Sequence, residues 1–127
     1  MPFEKIKSEN LPDDHCREAL VAAARDQMIK DLEQRFDAPD FAGDLVAALH
    51  SGDCLLALDG LDEVPQHLRG LAQQTVLALI GAYRLRRLIV TCRIRSYVGE
   101  ARFDHFDHYT LAAFNQDQIK KFANAWY

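Results

Sequence analysis

Cys54-Leu55-Leu56-Ala57-Leu58-Asp59-Gly60-Leu61-Asp62-Glu63 is the stretch on which the fold turns. Four apolar residues in a row, Leu55 to Leu58, end abruptly in three carboxylates spread over five positions. A short unbroken apolar run predicts a strand buried on both faces of a parallel sheet, and here it delivers acids to the carboxyl edge. Open α/β folds bind their ligands at that edge, where an acid commonly holds Mg²⁺ beside a phosphate. The segment therefore reads as the metal-side half of a nucleotide site.

Downstream, Pro65 opens the clearest helix in the chain. Leu68, Leu71, Ala72, Thr75, Val76, Leu79, Ile80 and Tyr83 keep the three-four spacing of one buried face. Leu88-Ile89-Val90-Thr91, rich in β-branched residues and bounded by arginines, predicts a second strand parallel to the first. Strand, helix and strand within about 40 residues make a right-handed βαβ crossover. Upstream, Leu20, Ala24, Met28, Leu32 and Phe36 step by four and predict a helix over Cys16–Phe36. After a break at Asp37-Ala38-Pro39-Asp40, Asp40 is placed to cap a second helix. That helix shows Phe41, Leu45, Val46 and Leu49 on one face and stops at Ser51-Gly52.

The two ends are less regular. Residues 1–14, with Pro2 and Pro12, read as an extended lead-in, and Ser96–Tyr109 as loop or short helix. Asn115 and Gln118 have capping-box spacing, with Phe114 and Ile119 spaced as a hydrophobic staple. Ile119, Phe122, Ala123 and Trp126 then form an apolar stripe running to Tyr127, a face that wants a partner surface. Internal repeats and low-complexity stretches are absent.

At 127 residues the chain suffices for one modest domain with a core, and its 27% charged residues argue against a disordered tail. Its net charge of −4 gives no global basic field, so direct nucleic-acid binding and attraction to anionic lipid are not expected. No apolar run approaches the roughly 20 residues of a membrane span, and no signal-peptide core follows Met1. Cys16, Cys54 and Cys92 are odd in number and lack C-x-x-C spacing, which points to a reducing, cytoplasmic setting.

Asp59, at the strand end, is the candidate metal ligand, because one carboxylate anchors Mg²⁺ while water fills the remaining positions. Gly60 lets the chain bend, bringing Asp62 and Glu63 back towards the same metal as the acids that position water. The bland alternative makes Asp59-Gly60 a turn and Asp62-Glu63 acids suited to a helix start. Arg93 follows the second strand at the same edge and is placed to grip a terminal phosphate, assisted by the Thr91 hydroxyl. Alone it would read as a surface arginine. Arg95 stands in reserve, and Arg84, Arg86 and Arg87 read as the solvated end of the preceding helix. His105 and His108 have metal-site spacing but no cysteine partner, so a structural role is expected. No histidine is placed to activate Cys92. The acid spacing is also one residue too long for a haloacid dehalogenase-type phosphatase.

Taken together, Leu55–Val64, Leu88–Arg93 and Tyr109–Tyr127 resemble the NACHT branch of the STAND P-loop NTPases. LLALDGLDEV looks like that family's Walker B, with its glycine and displaced acidic pair. LIVTCR looks like its sensor 1 strand, with Arg93 in the arginine position and Ile94 where many members have proline. YTLAAFNQDQIKKFANAWY is similar to the junction between the NTPase core and its first helical lid domain. The likeness covers roughly Gly52 to the end, and no G-x-x-x-x-G-K-[ST] Walker A loop occurs in the sequence.

The resemblance implies a partial P-loop NTPase three-layer α/β core over residues 1–113, lacking the P-loop. Residues 114–127 would begin the lid domain. It also implies a piece of an ATPase signalling switch that uses Mg²⁺ and ATP or ADP in the complete protein. Such a piece would dock on the rest of its own NTPase and lid domains, and the whole would oligomerise when activated; this chain by itself should be inactive. Two rivals stand beside that expectation. One is a degenerate α/β protein-interaction module that no longer binds nucleotide. The other is a stand-alone Mg²⁺-dependent phosphohydrolase.

Overall fold

Leu55–Leu58 does form a strand, β1, and it pairs in parallel with Arg87–Val90, β2, in the register Leu55 to Arg87 through Leu58 to Val90. In this computed structural model the described residues are 13–126. The lead-in reading of residues 1–12 and the Tyr127 end of the apolar stripe lie outside them. The described residues also form four α-helices: α1 (Asp13–Gln34), α2 (Ala42–Ser51), α3 (Arg69–Tyr83) and α4 (Gln116–Trp126). Arg87 thus opens β2 rather than ending the helix before it, and its guanidinium pairs with Asp53 at 2.9 Å.

The helix between the strands keeps the face its spacing called for. Ala72, Thr75, Val76, Leu79 and Tyr83 of α3 are buried, with Leu68, Leu71 and Ile80 half-buried. The helix starts later than Pro65 implied, after a 3-10 turn at Gln66–Leu68. α3 packs against α1 and, more lightly, α2 on one side. On the other it meets the sheet through Leu56, Leu58, Leu88 and Val90. Leu20, Leu49 and Leu79 are almost fully enclosed, each contributing about 2 kcal/mol of apolar burial.

Burial on both faces does not hold among the described residues. Leu55, Ala57, Arg87 and Ile89 form an open face, with Leu55 57% and Ile89 51% exposed. The described architecture is therefore helix-on-sheet with one sheet face uncovered, a mixed α/β arrangement short of three layers.

Smaller corrections have local causes. α1 begins at Asp13 and ends at Gln34, and Asp37 takes a left-handed φ of +50°. Phe36 therefore falls past the helix and is 63% exposed. Pro39–Phe41 forms a 3-10 turn with no side-chain cap, so Asp40 does not cap α2, and Phe41 points outward instead of into the core. Gly52 ends α2 at φ +66°, its N–H donating to the Leu49 carbonyl. Ile94–Ser96 and Gly99–Ala101 are 3-10 turns. The capping box is formed in full: Gln118 N–H donates to Asn115 Oδ1 and Asn115 N–H to Gln118 Oε1, both at 2.9 Å. α4 buries none of its residues.

Candidate functional site

The parallel register that sets Leu58 beside Val90 carries Asp59 and Thr91 out side by side, one residue past their strands. The Thr91 hydroxyl donates to Asp59 Oδ1 and accepts the Gly60 N–H at 2.9 Å. Its backbone extends the ladder: Thr91 N–H reaches the Leu58 carbonyl at 3.0 Å, and the Thr91 carbonyl accepts Leu61 N–H at 2.9 Å. Thr91 thus organises the aspartate and the glycine after it. Asp59 itself stays exposed.

Gly60 makes the bend at φ +80°, and the chain turns through a 3-10 turn at Leu61–Glu63. Leu61 is buried with Ala72, Val76, Ala101 and Phe103, which pins the turn to the core. Asp62 then faces Arg93. Its Oδ1 accepts the Arg93 N–H at 3.1 Å, and its Oδ2 forms an ion pair with the guanidinium, 3.1 Å from Arg93 Nε. The carboxylate is only 12% exposed and the arginine 83%, so the pair is rooted at Asp62 and the guanidinium reaches into solvent. Glu63 folds beside Gly60, where an added Cβ would lie 3.2 Å from its Cδ.

Asp59, Asp62, Thr91 and Arg93 therefore meet at one sheet edge, but the acids do not converge. Asp62 is turned to Arg93, and no three of the His, Cys, Asp and Glu side chains form a group able to hold a metal among the described residues. Asp59 remains a single exposed oxygen donor, which suits a cation that keeps most of its waters.

No family model, curated protein or solved structure matches the chain. Among the described residues, no helix is long and apolar enough to cross a membrane.

Two features escaped the sequence reading. The Asp62–Arg93 pair joins residues 31 apart, and nothing local announces it. Arg69 is the other. It sits half-buried at the start of α3, where its guanidinium donates to the carbonyls of Val64, Asp62 and Ser96 at 3.0, 3.0 and 3.3 Å. Its one sequence signal is a cation in the first helical turn, where the helix dipole disfavours it. The Cys92 thiol lies close by; burial pushes it up from its ordinary value and the Asp62 charge adds to that, against the pull of Arg69.

Below the edge, Tyr97 ties the loop down. Its hydroxyl is 2.8 Å from His108 Nε2 and accepts the Phe103 N–H at 2.8 Å. His108 is thereby engaged with an aromatic partner. His105 lines the groove between β2 and the segment ending at Leu111.

Proposed function

We propose that the chain supplies the Walker B and sensor 1 elements of the ATP site in a NACHT-type STAND NTPase, a signalling switch. The observation that carries this reading is that Asp59 and Thr91 emerge hydrogen-bonded at adjoining strand ends, with Arg93 two residues beyond Thr91 and paired to the Asp62 of the acidic turn. Asp59 would hold Mg²⁺, which when bound neutralises charge on the phosphates. Glu63 and Asp62 would orient water. Arg93, most of it already in solvent, would reach the terminal phosphate, Asp62 acting as its rest position in the absence of nucleotide.

The open sheet face supports a larger core around this one. Leu55, Ala57 and Ile89 are apolar residues of parallel strands, which such folds ordinarily cover on both sides. The apolar stripe of α4 is consistent with the first helix of a lid domain. On this reading ATP or ADP, the remainder of the NTPase and lid, and like subunits in the activated assembly are the partners, in the cytoplasm. The chain by itself lacks the phosphate cradle and would not turn over ATP.

Mg²⁺ titration followed by amide NMR tests the reading on the wild type and on Asp59→Asn. The expected result is millimolar binding that moves the Asp59, Gly60 and Thr91 amides and weakens at least about fivefold in the variant. Equal, diffuse binding by both proteins would remove the metal role. The same open face and the missing Walker A loop favour a second reading, an interaction module without nucleotide, and that outcome would put it first.

A further inference from the structure

A cation at the first position of α3 is electrostatically misplaced, since an exposed charge there opposes the helix dipole by about 0.3–1 kcal/mol. No acid in the first turn of α3 compensates Arg69. Its side chain instead turns back under the acidic turn and is half-buried, and it reaches three carbonyls with three different nitrogens. Nε meets Val64 and Nη2 meets Asp62, so the two bonds bracket Glu63. Nη1 meets Ser96, in the turn that directly follows Arg93. One planar group therefore spans both loops that carry the candidate chemistry.

We propose that Arg69 is the positioning residue of this edge: its guanidinium fork locks the acidic turn and the arginine turn into one geometry, setting Asp62 against Arg93. The consequence for chemistry rests on the functional reading above; the geometry does not. The fork is the point. A guanidinium presents five N–H donors in a rigid plane, whereas a lysine offers three rotatable donors on one nitrogen and cannot reach carbonyls spread along that plane. The three acceptors are neutral, so these bonds leave the positive charge of Arg69 acting on its surroundings, the Cys92 thiol included. Leu61 and the Thr91 backbone hold the near end of the acidic turn; at its far end Val64 packs against the same core cluster, and Arg69 takes the Val64 carbonyl and ties it to the arginine turn.

Hydrogen exchange by NMR on the full chain tests this without metal or nucleotide. In the wild type the Arg69 Nε–H should exchange at least about tenfold more slowly than that of exposed Arg95. Equal rates would overturn the proposal whether or not any variant folds. In Arg69→Gln and in Arg69→Lys alike, the Arg93 and Val64 amides should lose about tenfold in protection, with Val76 and Leu79 inside α3 little changed. Unchanged Arg93 protection in Arg69→Gln, or full protection in Arg69→Lys, would overturn it, the latter because charge alone would then suffice. A failed Mg²⁺ titration would remove the nucleotide reading and leave the Arg69 result standing.

Discussion

Gly52 and Gly60 both sit in the left-handed region, yet they differ in what surrounds them. A Cβ on Gly52 would lie 2.9 Å from the carbonyl oxygens of both Tyr83 and Arg84, fixed backbone atoms, whereas on Gly60 it would meet only the flexible Glu63 side chain at 3.2 Å. Gly52→Ala should therefore cost about 2 kcal/mol or more and Gly60→Ala about 1 kcal/mol, read as urea midpoints at constant m-value. The left-handed turn at Gly52 was legible from Ser-Gly after an apolar helix; its closeness to the end of α3 was not. At Cys92, burial first and the Asp62 charge second hold the proton on the thiol. The unfolded chain loses that proton at lower pH than the fold does, so stability falls as pH rises from the unfolded pKa towards the higher folded one. Asp62→Asn should move the pH profile of Cys92 alkylation to lower pH; an unmoved profile would mean that Asp62 is not felt there.

Among the elements, α4 is the one the sequence described most fully. A capping box is an interaction between neighbours three residues apart, so Asn115 and Gln118 specify it without help from the rest of the fold. An 11-residue helix is marginal when it is not packed, and α4 buries nothing, so its caps carry unusual weight. Asn115→Ala should destabilise α4 by about 1 kcal/mol, seen as faster exchange of its own amides, while the global unfolding midpoint stays put. Phe122→Ala, with its ring centroid 6.0 Å from that of exposed Trp126 and tilted 44° to it, should change global stability by less than about 0.5 kcal/mol. Leu79→Ala in the core should cost about 3 kcal/mol. Similar losses for Phe122 and Leu79 would mean that α4 docks on the core. Where the periodic reading of elements failed, at Phe36 and Phe41, spacing identified a helical face but could not say where α1 ends or α2 begins.

For the molecule as a whole, the open face of the sheet is the feature with consequences in solution. Leu55 and Ile89 should bind an apolar dye such as ANS, and Leu55→Lys with Ile89→Lys should lower that signal, the exposed stripe of α4 keeping the remainder, at a stability cost below about 1 kcal/mol. A large stability loss would show that the face is already packed against something. Sequence by itself determined what depends on neighbours along the chain. It set the two apolar runs as strands, the α3 face between them and therefore their parallel pairing, the Gly52 stop and the α4 cap. Tertiary structure alone decided which side of the sheet is covered and which groups meet at its edge. Both faces of β1 carry apolar residues, so alternation could not tell the buried side from the open one. Asp62 finds Arg93, and Arg69 finds Ser96, only after the crossover brings segments about 30 residues apart into register. Directional bonds of that kind depend on positions in space, which no local spacing encodes.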